Sequence, residues 1–447
     1  MRISIFGAGD VGAYLARDFS HTHEVVLVDR DGAALARAEE DVDALTVVGD
    51  ATHRSVLQAA EVERCDLAVA VTGSDDTNLV IAGLAAALGA ERTVARVDAP
   101  AFYQSAAGVE SGVLGIHSLL CASRLVSEEL ARLIECTEAS FAAHFAGNAL
   151  QVAVLPLQND SPALGLPATH ASLNQVAQVV GVVRDSALRL PETIERLELE
   201  DSLLLSGSPQ QVQLGARALR REKRERRAVV VGGGDVGLQL ATMLLATEHE
   251  VQIIEHDRAR CQVLAETLPH ANVVHGDGTS IGFLRDEHVD SADYLVAVTR
   301  ADEINLMASL MGINLGVRYT FALVHRPGHA EVYSHLGISG TAGTHDVITK
   351  IVGWLMPHKG AVASHVLPGT GHLLQEFVVG SAPGVSVPMR RLGLPPDAWI
   401  VAASRNGRAL PVGQGPGLTA LDRVVVALPP GQARQVQQRL RAIEEQP

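Results

Sequence analysis

Two short glycine strings carry the chemistry that this sequence could do. Gly7-Ala8-Gly9-Asp10-Val11-Gly12 and Gly232-Gly233-Gly234-Asp235-Val236-Gly237 share the spacing G-x-G-x-x-G. In such a string the first glycine permits a tight turn and the second lets the backbone approach a diphosphate. The third lets a helix pack against the preceding strand, so that the unpaired amides of the helix N-terminus face an anion. An acid about 20 residues further on normally accepts hydrogen bonds from ribose hydroxyls, and Asp29 and Glu255 stand there. A carboxylate at that place repels a 2′-phosphate, which favours NAD or an adenine nucleotide over NADP. Asp50-Ala51-Thr52 and Thr72-Gly73 follow expected strands, at the carboxyl edge where open α/β sheets bind ligands. They are candidate adenine and ribose contacts. Arg96 closes a further strand and is a candidate charge-assisted donor to the phosphates. In the second string Asp277, Gly278 and Thr299 take the corresponding places, but Leu323 replaces the arginine. The second site therefore binds a different ligand or binds more weakly. The competing reading is a vestigial turn whose glycines serve packing alone.

A glycine string means this only between a strand and a helix, and both strings sit there. Short β-branched runs alternate with helical stretches: Ile3–Phe6, Val25–Val28, Leu45–Val48, Leu67–Val71 and Thr93–Val97, then Ala228–Val231, Val251–Ile254, Asn272–Val274, Tyr294–Val298 and Thr320–Val324. This is the signature of a doubly wound parallel sheet. Four landmarks recur in order: the glycine string, the acid, Gly49-Asp50-Ala51-Thr52 against Gly276-Asp277-Gly278-Thr279, and Thr72–Asn78 against Thr299–Asn305. Chance does not keep four landmarks in register, so the unit is duplicated.

After each copy comes an amphipathic stretch, Ser118–Cys136 and His345–Met356, which reads as a connecting helix. Short strands broken by Gly and Pro follow: Gln151–Leu155, Val179–Val183 and Ser202–Leu205, then His372–Val379, Ile400–Ala403 and Arg423–Leu428. The expected architecture is α/β: two Rossmann-like domains, each followed by a small α+β domain. The expected limits are 1–118 with a connecting helix to about 138, 139–220, 228–344 with a connecting helix to about 358, and 364–432.

Composition agrees. Hydrophobic residues make up 47% of the chain and aromatics 3%, so the cores are built from Val, Leu, Ile and Ala, as in sheets covered by helices. The formal net charge of −15 opposes a phosphate backbone, so nucleic acid is not expected as a partner. The basic run Arg220, Arg221, Lys223, Arg224, Arg226, Arg227 is interrupted by Glu222 and Glu225 and reads as a solvated linker or helix end. Cys65, Cys121, Cys136 and Cys261 form no C-x-x-C pair and read as buried thiols of a reducing compartment. The N-terminus enters a strand without a leader pattern, and no apolar run reaches the ~18–20 residues that span a bilayer. A cytoplasmic location is expected.

Hydride transfer would need an acid or base beside the nicotinamide. No tyrosine starts a Tyr-x-x-x-Lys, and the only lysines are Lys223, Lys350 and Lys359. His325-Arg326-Pro327-Gly328-His329 holds Pro and Gly between its histidines, which keeps both rings off one helical face and argues against a zinc pair. No catalytic or metal-binding residue is assigned, and a binding site without catalytic groups is a sensor's site.

With these landmarks in that order, the chain resembles the TrkA family, the regulatory subunits of bacterial Trk potassium uptake systems, over nearly its whole length. The resemblance implies tandem potassium-conductance-regulating domains that bind NAD(H) and ATP or ADP. It implies a homotetramer whose eight domains form a ring, peripheral on the inner face of the membrane and gating a membrane-embedded potassium transporter subunit. By the same resemblance Gly7, Ala8, Gly9, Asp10, Val11, Asp29, Ala51, Thr52, Thr72, Gly73 and Arg96 are nucleotide contacts. Two other readings stay open: a regulator of a potassium efflux antiporter, and an NAD-dependent oxidoreductase.

Overall fold

A computed structural model describes residues 1–99, 109–110, 113–135, 137, 139–147, 149–219, 226–247, 249–326, 328–355, 361–367, 370–380, 388–389, 392–395, 397–412 and 417–441. In the first copy β1 (Arg2–Phe6), α1 (Asp10–Ser20), β2 (Glu24–Asp29), α2 (Gly32–Glu39), β3 (Leu45–Val48), α3 (Arg54–Ala59), β4 (Leu67–Ala70), α4 (Asp75–Leu88) and β5 (Thr93–Val97) alternate as expected. Then come β6 (Val109–Glu110), β7 (Ser118–Cys121) and α5 (Ala122–Glu135). The sheet runs β3-β2-β1-β4-β5-β7-β6, parallel apart from β6. The order reverses beside β1, so a crevice opens at the carboxyl ends of β1 and β4.

The first small domain consists of β8 (Phe141–Phe145), β9 (Leu150–Pro156), β10 (Gln178–Arg184), β11 (Ala187–Arg189), β12 (Ser202–Gly207) and α6 (Pro209–Ala218). The second copy repeats the first with β13 (Arg226–Val231), α7 (Asp235–Ala246), β14 (His249–Glu255), α8 (Arg258–Thr267), β15 (Asn272–His275), α9 (Ile281–Asp286), β16 (Tyr294–Ala297), α10 (Asp302–Leu315) and β17 (Tyr319–Val324). It closes with α11 (His329–His335), β18 (Gly340–Gly343) and α12 (Thr344–Leu355), in the parallel order β15-β14-β13-β16-β17-β18. The last block is β19 (Ala361–Val366), β20 (Leu373–Val378), β21 (Trp399–Arg405), β22 (Arg408–Leu410), β23 (Arg423–Leu428) and α13 (Ala433–Arg441). Both small sheets are antiparallel and five-stranded.

Two expectations need correction. Ser118–Cys121 is not the start of a helix but a parallel strand against β5, and Gly340–Gly343 is its counterpart against β17. All four residues of β7 are buried. A strand covered on both faces is a continuous apolar run, which periodicity cannot tell from a buried helical turn. Arg226 and Arg227 are not linker residues either, because they open β13. The Arg227 guanidinium reaches Gln252 Oε1 at 2.7 Å and the carbonyl of His288 at 2.8 Å. Arg220, Arg221, Lys223, Arg224, Cys136, Pro327 and Met356 lie outside the described residues.

The chain divides into two units, each assembled from separated stretches. Residues 1–134 and 225–356 form one, and 135–224 and 357–447 the other. In the first unit the two Rossmann-type copies share a continuous core that joins Leu15, Leu125 and Leu130 to Leu240, Ile348 and Val352. In the second unit Val152, Val180 and Leu204 join Leu374, Val401 and Ala427.

Each small domain also holds a matching arginine–aspartate pair. Arg184 meets both oxygens of Asp201 at 2.7 Å, and Arg405 meets both of Asp422 at 2.8 Å. Both carboxylates are 1% exposed. Burial pushes the Asp201 carboxyl up, but the Arg184 guanidinium and the Glu198 amide more than offset it and hold the group below the usual carboxylate range. Its stabilisation is thus complete above the ordinary carboxyl pKa and is lost as pH falls through the lower folded value. Asp201→Asn is expected to cost about 2–3 kcal/mol, since Arg184 keeps some access to water. Thermal unfolding of the full chain from pH 7 to pH 3 checks this. The variant should lose part of the acid-dependent fall in Tm, and an unchanged pH profile would refute the assignment.

Candidate functional site

The site is built where β1 ends. Gly7 has φ +110°, a region that side chains disfavour, and a β-carbon there would press on the backbone of Val71 and Thr72. A β-carbon on Gly12 would collide with the carbonyl oxygen of Gly7, so only glycine lets α1 seat this close to the turn. Gly9 meets nothing within 4 Å and, as the N-cap of α1, offers no side chain to the first-turn amides. Those amides, with the positive end of the helix dipole, face the crevice.

The carboxylate expected to read the ribose is already at work in the turn. Asp29 accepts the Ala8 amide at 2.6 Å on Oδ2 and the Asp31 amide at 2.8 Å on Oδ1. It keeps lone pairs toward the crevice, because a carboxylate has about four acceptor positions. Asp50 is bound by the amide and hydroxyl of Thr52 at 2.9 and 2.7 Å, which hold its carboxyl below the ordinary value.

A cavity of about 810 Å3 lies over the turn, within the usual size of a small-molecule site. Of the residues named from sequence it gathers Gly7, Ala8, Gly9, Asp10, Asp29, Asp50, Ala51, Thr52, Thr72 and Gly73. Val11 packs against the core, and Gly12 serves the close approach of helix and turn. Arg96 is not part of the lining; its guanidinium pairs with Asp98 at 2.8 Å. The cations that do line the cavity are Arg17, Arg30 and Arg37. Sequence reading missed them, although Arg17 follows Asp10 by seven residues, two turns along one helical face.

Thr72 and Thr299 have an architectural duty that the repeated landmark encodes. The amide and hydroxyl of Thr72 both donate to Asn78 Oδ1 at 2.7 Å, and Asn78 Nδ2 donates to the carbonyls of Thr72 and Arg96. Asn305 does the same for Thr299 and the carbonyl of Leu323. These locks fix the ends of adjacent strands at the rim of the crevice.

The second copy repeats the frame and alters the mouth. Gly232 has φ +107°, and a β-carbon on Gly237 would strike the carbonyl of Gly232. Glu255 accepts the Gly233 amide at 2.6 Å and the Asp257 amide at 2.8 Å. Asp277 is held below the ordinary carboxyl range by the Thr279 amide and hydroxyl. Gly278 has Val231 packed where a β-carbon would be, and Gly234, the N-cap of α7, has open space. A β-carbon on Gly233 would press on the tip of the buried Leu264 side chain. Across this turn lies Arg260, donating to the carbonyl of Gly233 at 2.6 Å and standing 3.4 Å from Asp235, which begins α7 ahead of Val236. The first copy has the small Ala34 in the matching place of α2. His325 and His329 do not face a common ion. Each places Nδ1 on the Asp302 carboxylate, at 2.9 and 3.0 Å.

The fold and the cleft thus define a duplicated Rossmann-type protein, with one glycine turn open and the other bridged by its own arginine. The TrkA-N domain family matches it twice, at residues 3–113 and 228–343. A Trk system potassium uptake protein TrkA homolog of Archaeoglobus fulgidus is 30% identical over 411 residues, 92% of this chain and 93% of the relative. The Trk system potassium uptake protein TrkA of Halomonas elongata is 29% identical over 74% of each chain. The chain belongs to the TrkA family. Its fold matches the crystal structure of the GsuK RCK domain with a TM-score of 0.59 at 20% identity, covering 99% of this chain and 95% of the other. A GsuK channel bound to NAD matches with a TM-score of 0.59 at 21% identity, over 99% and 79%. Among the described residues no helix is long and apolar enough to cross a membrane.

The two glycines of the first turn should separate on substitution. Gly12→Ala is expected to cost about 3 kcal/mol through overpacking, a fall of about 6–12 °C in Tm. Gly9→Ala meets open space and should lower Tm by no more than about 3 °C. Equal losses would contradict the described packing.

Proposed function

We propose that the chain is the regulatory, gating subunit of a potassium uptake transporter, and that its first cleft binds NAD(H), with ATP or ADP as the other candidate ligands. One observation carries this reading. The first-turn amides of α1 open onto a crevice of dinucleotide size that holds Asp29 beside the turn, at the ribose place, in a chain of the TrkA family. Gly7, Gly9 and the amides of Asp10 and Val11 would cradle the diphosphate, and Arg17 and Arg37 would supply its countercharge. Asp29 would take the ribose hydroxyls, Asp50, Ala51 and Thr52 the adenine side, and Thr72 and Gly73 the opposite rim. Arg96 would join only by leaving Asp98. Bound there, NAD(H) would serve as a signal whose occupancy is read, without transferring a hydride.

Regulation rather than turnover is supported by the lining. Tyr14 is the one phenol among the lining residues, burial and Asp346 push it up to about 12, and its proton is committed to the Asp346 carboxylate. It makes a poor acid for hydride chemistry. A nucleotide that prefers one arrangement of the protein shifts the population toward it, and each tenfold preference supplies about 1.4 kcal/mol. We further propose a tetramer, hence a ring of eight Rossmann-type domains, attached to the cytoplasmic face of its membrane partner.

Titration of the purified chain with NADH, NAD, NADPH, ATP and ADP, with mass measured in solution, tests this. NADH should bind more tightly than NADPH, and Asp29→Ala should weaken NADH binding about tenfold or more, as expected when a charged acceptor is lost. An unaltered isotherm in that variant, or preference for NADPH, would remove the site assignment.

A further inference from the structure

The wall of the first cleft reaches out of its own fold. Asp10, Ala13, Tyr14 and Arg17 lie on one face of α1 at helical spacing, and all four line the cavity. Tyr14 also touches the second copy. Its hydroxyl donates to Asp346 Oδ1 at 2.7 Å, across 332 residues of sequence, and its ring lies 4.5 Å from the ring of His345. His345 is 4% exposed, and Asp346 sits in the first turn of α12, where the helix dipole favours an acid. The guanidinium of Arg17 stands 5.0 Å over the Tyr14 ring. A phosphate that drew Arg17 toward the turn would therefore disturb the side chain that holds α12.

The contact occurs twice, with its polarity reversed. Gln239 follows Gly232 by the same interval as Tyr14 follows Gly7, and Arg124 is the third residue of α5 as Asp346 is of α12. Arg124 Nη1 donates to Gln239 Oε1 at 3.1 Å, and beside it Ser127 Oγ donates to the carbonyl of Val236. Each glycine-turn helix is thus engaged by the last helix of the other copy. Only in the first does the tether come from a residue that lines the open cleft and end on a carboxylate.

We infer that Tyr14, through its hydrogen bond to Asp346, couples occupancy of the first cleft to α12 and so to the second Rossmann-type copy. The route is short: the glycine turn fixes the start of α1, Tyr14 is one helical turn further on, and α12 follows directly from β18 of the second sheet. A rigid helix passes a shift at its N-terminus to a side chain one turn away, whereas a loop would absorb it. The inference rests on the first cleft being a dinucleotide site, and it names the positioning residue through which that site is read.

Amide hydrogen exchange of the full chain with and without saturating NADH tests it. In the unaltered protein NADH should slow exchange at the glycine turn and, by about fivefold or more, in α12. Asp346→Ala, outside the cavity lining, and Tyr14→Phe, which keeps the ring, should each retain slowing at the turn and reduce that in α12 to under about twofold. Asp346→Asn keeps an acceptor oxygen and should restore most of it. Slowing in α12 that survives both variants, or that is missing from the unaltered protein while the turn is protected, overturns the coupling. No slowing at the turn itself would overturn the cleft assignment, and the coupling with it.

Discussion

The approach of Gly12 to the carbonyl of Gly7 is the constraint on which the rest of the first unit depends. Because neither residue carries a side chain, α1 seats directly on the turn that ends β1, and its first amides are left pointing over the sheet edge. The same closeness brings the Ala8 amide within 2.6 Å of Asp29, so the acid at the end of β2 organises the turn before any ligand arrives. A preformed turn loses little entropy on binding an anion, which is the physical basis for reading this crevice as a receptor.

Duplication supplied a second frame of the same kind, and divergence acted on its mouth. Glu255 repeats the bond to the turn at 2.6 Å from the same strand register, with a side chain one carbon longer. Leu264 then fills the space above Gly233, and Arg260 lies across the turn between a carbonyl and the Asp235 carboxylate. A guanidinium thus crosses this turn from α8, where the first copy has Ala34. The two copies offer one geometry with two electrostatic settings.

Helices exchanged between the copies make this asymmetry matter. α5 packs on α7, and α12 packs on α1, within one continuous core. A change at either glycine turn therefore meets the other copy at once, as a switch requires and a simple carrier of nucleotide does not. The small domains share a different device, a buried arginine–carboxylate clamp used twice. Its regular 17-residue separation is a repeat signal that sequence reading passed over.

Much of the fold was legible because it is written in local patterns. Glycines at fixed spacing, an acid at the end of the second strand and β-branched runs alternating with helices require only neighbours along the chain to be read. They determined the paired parallel sheets, the turns and most of the cleft. What the tertiary structure decided involves partners far apart in sequence: β7 hidden as an apolar run, Arg96 drawn to Asp98, Arg260 laid across the second turn, and Tyr14 held by Asp346. Such contacts leave no periodicity, because a hydrogen bond between residues 332 apart depends on how two finished surfaces meet.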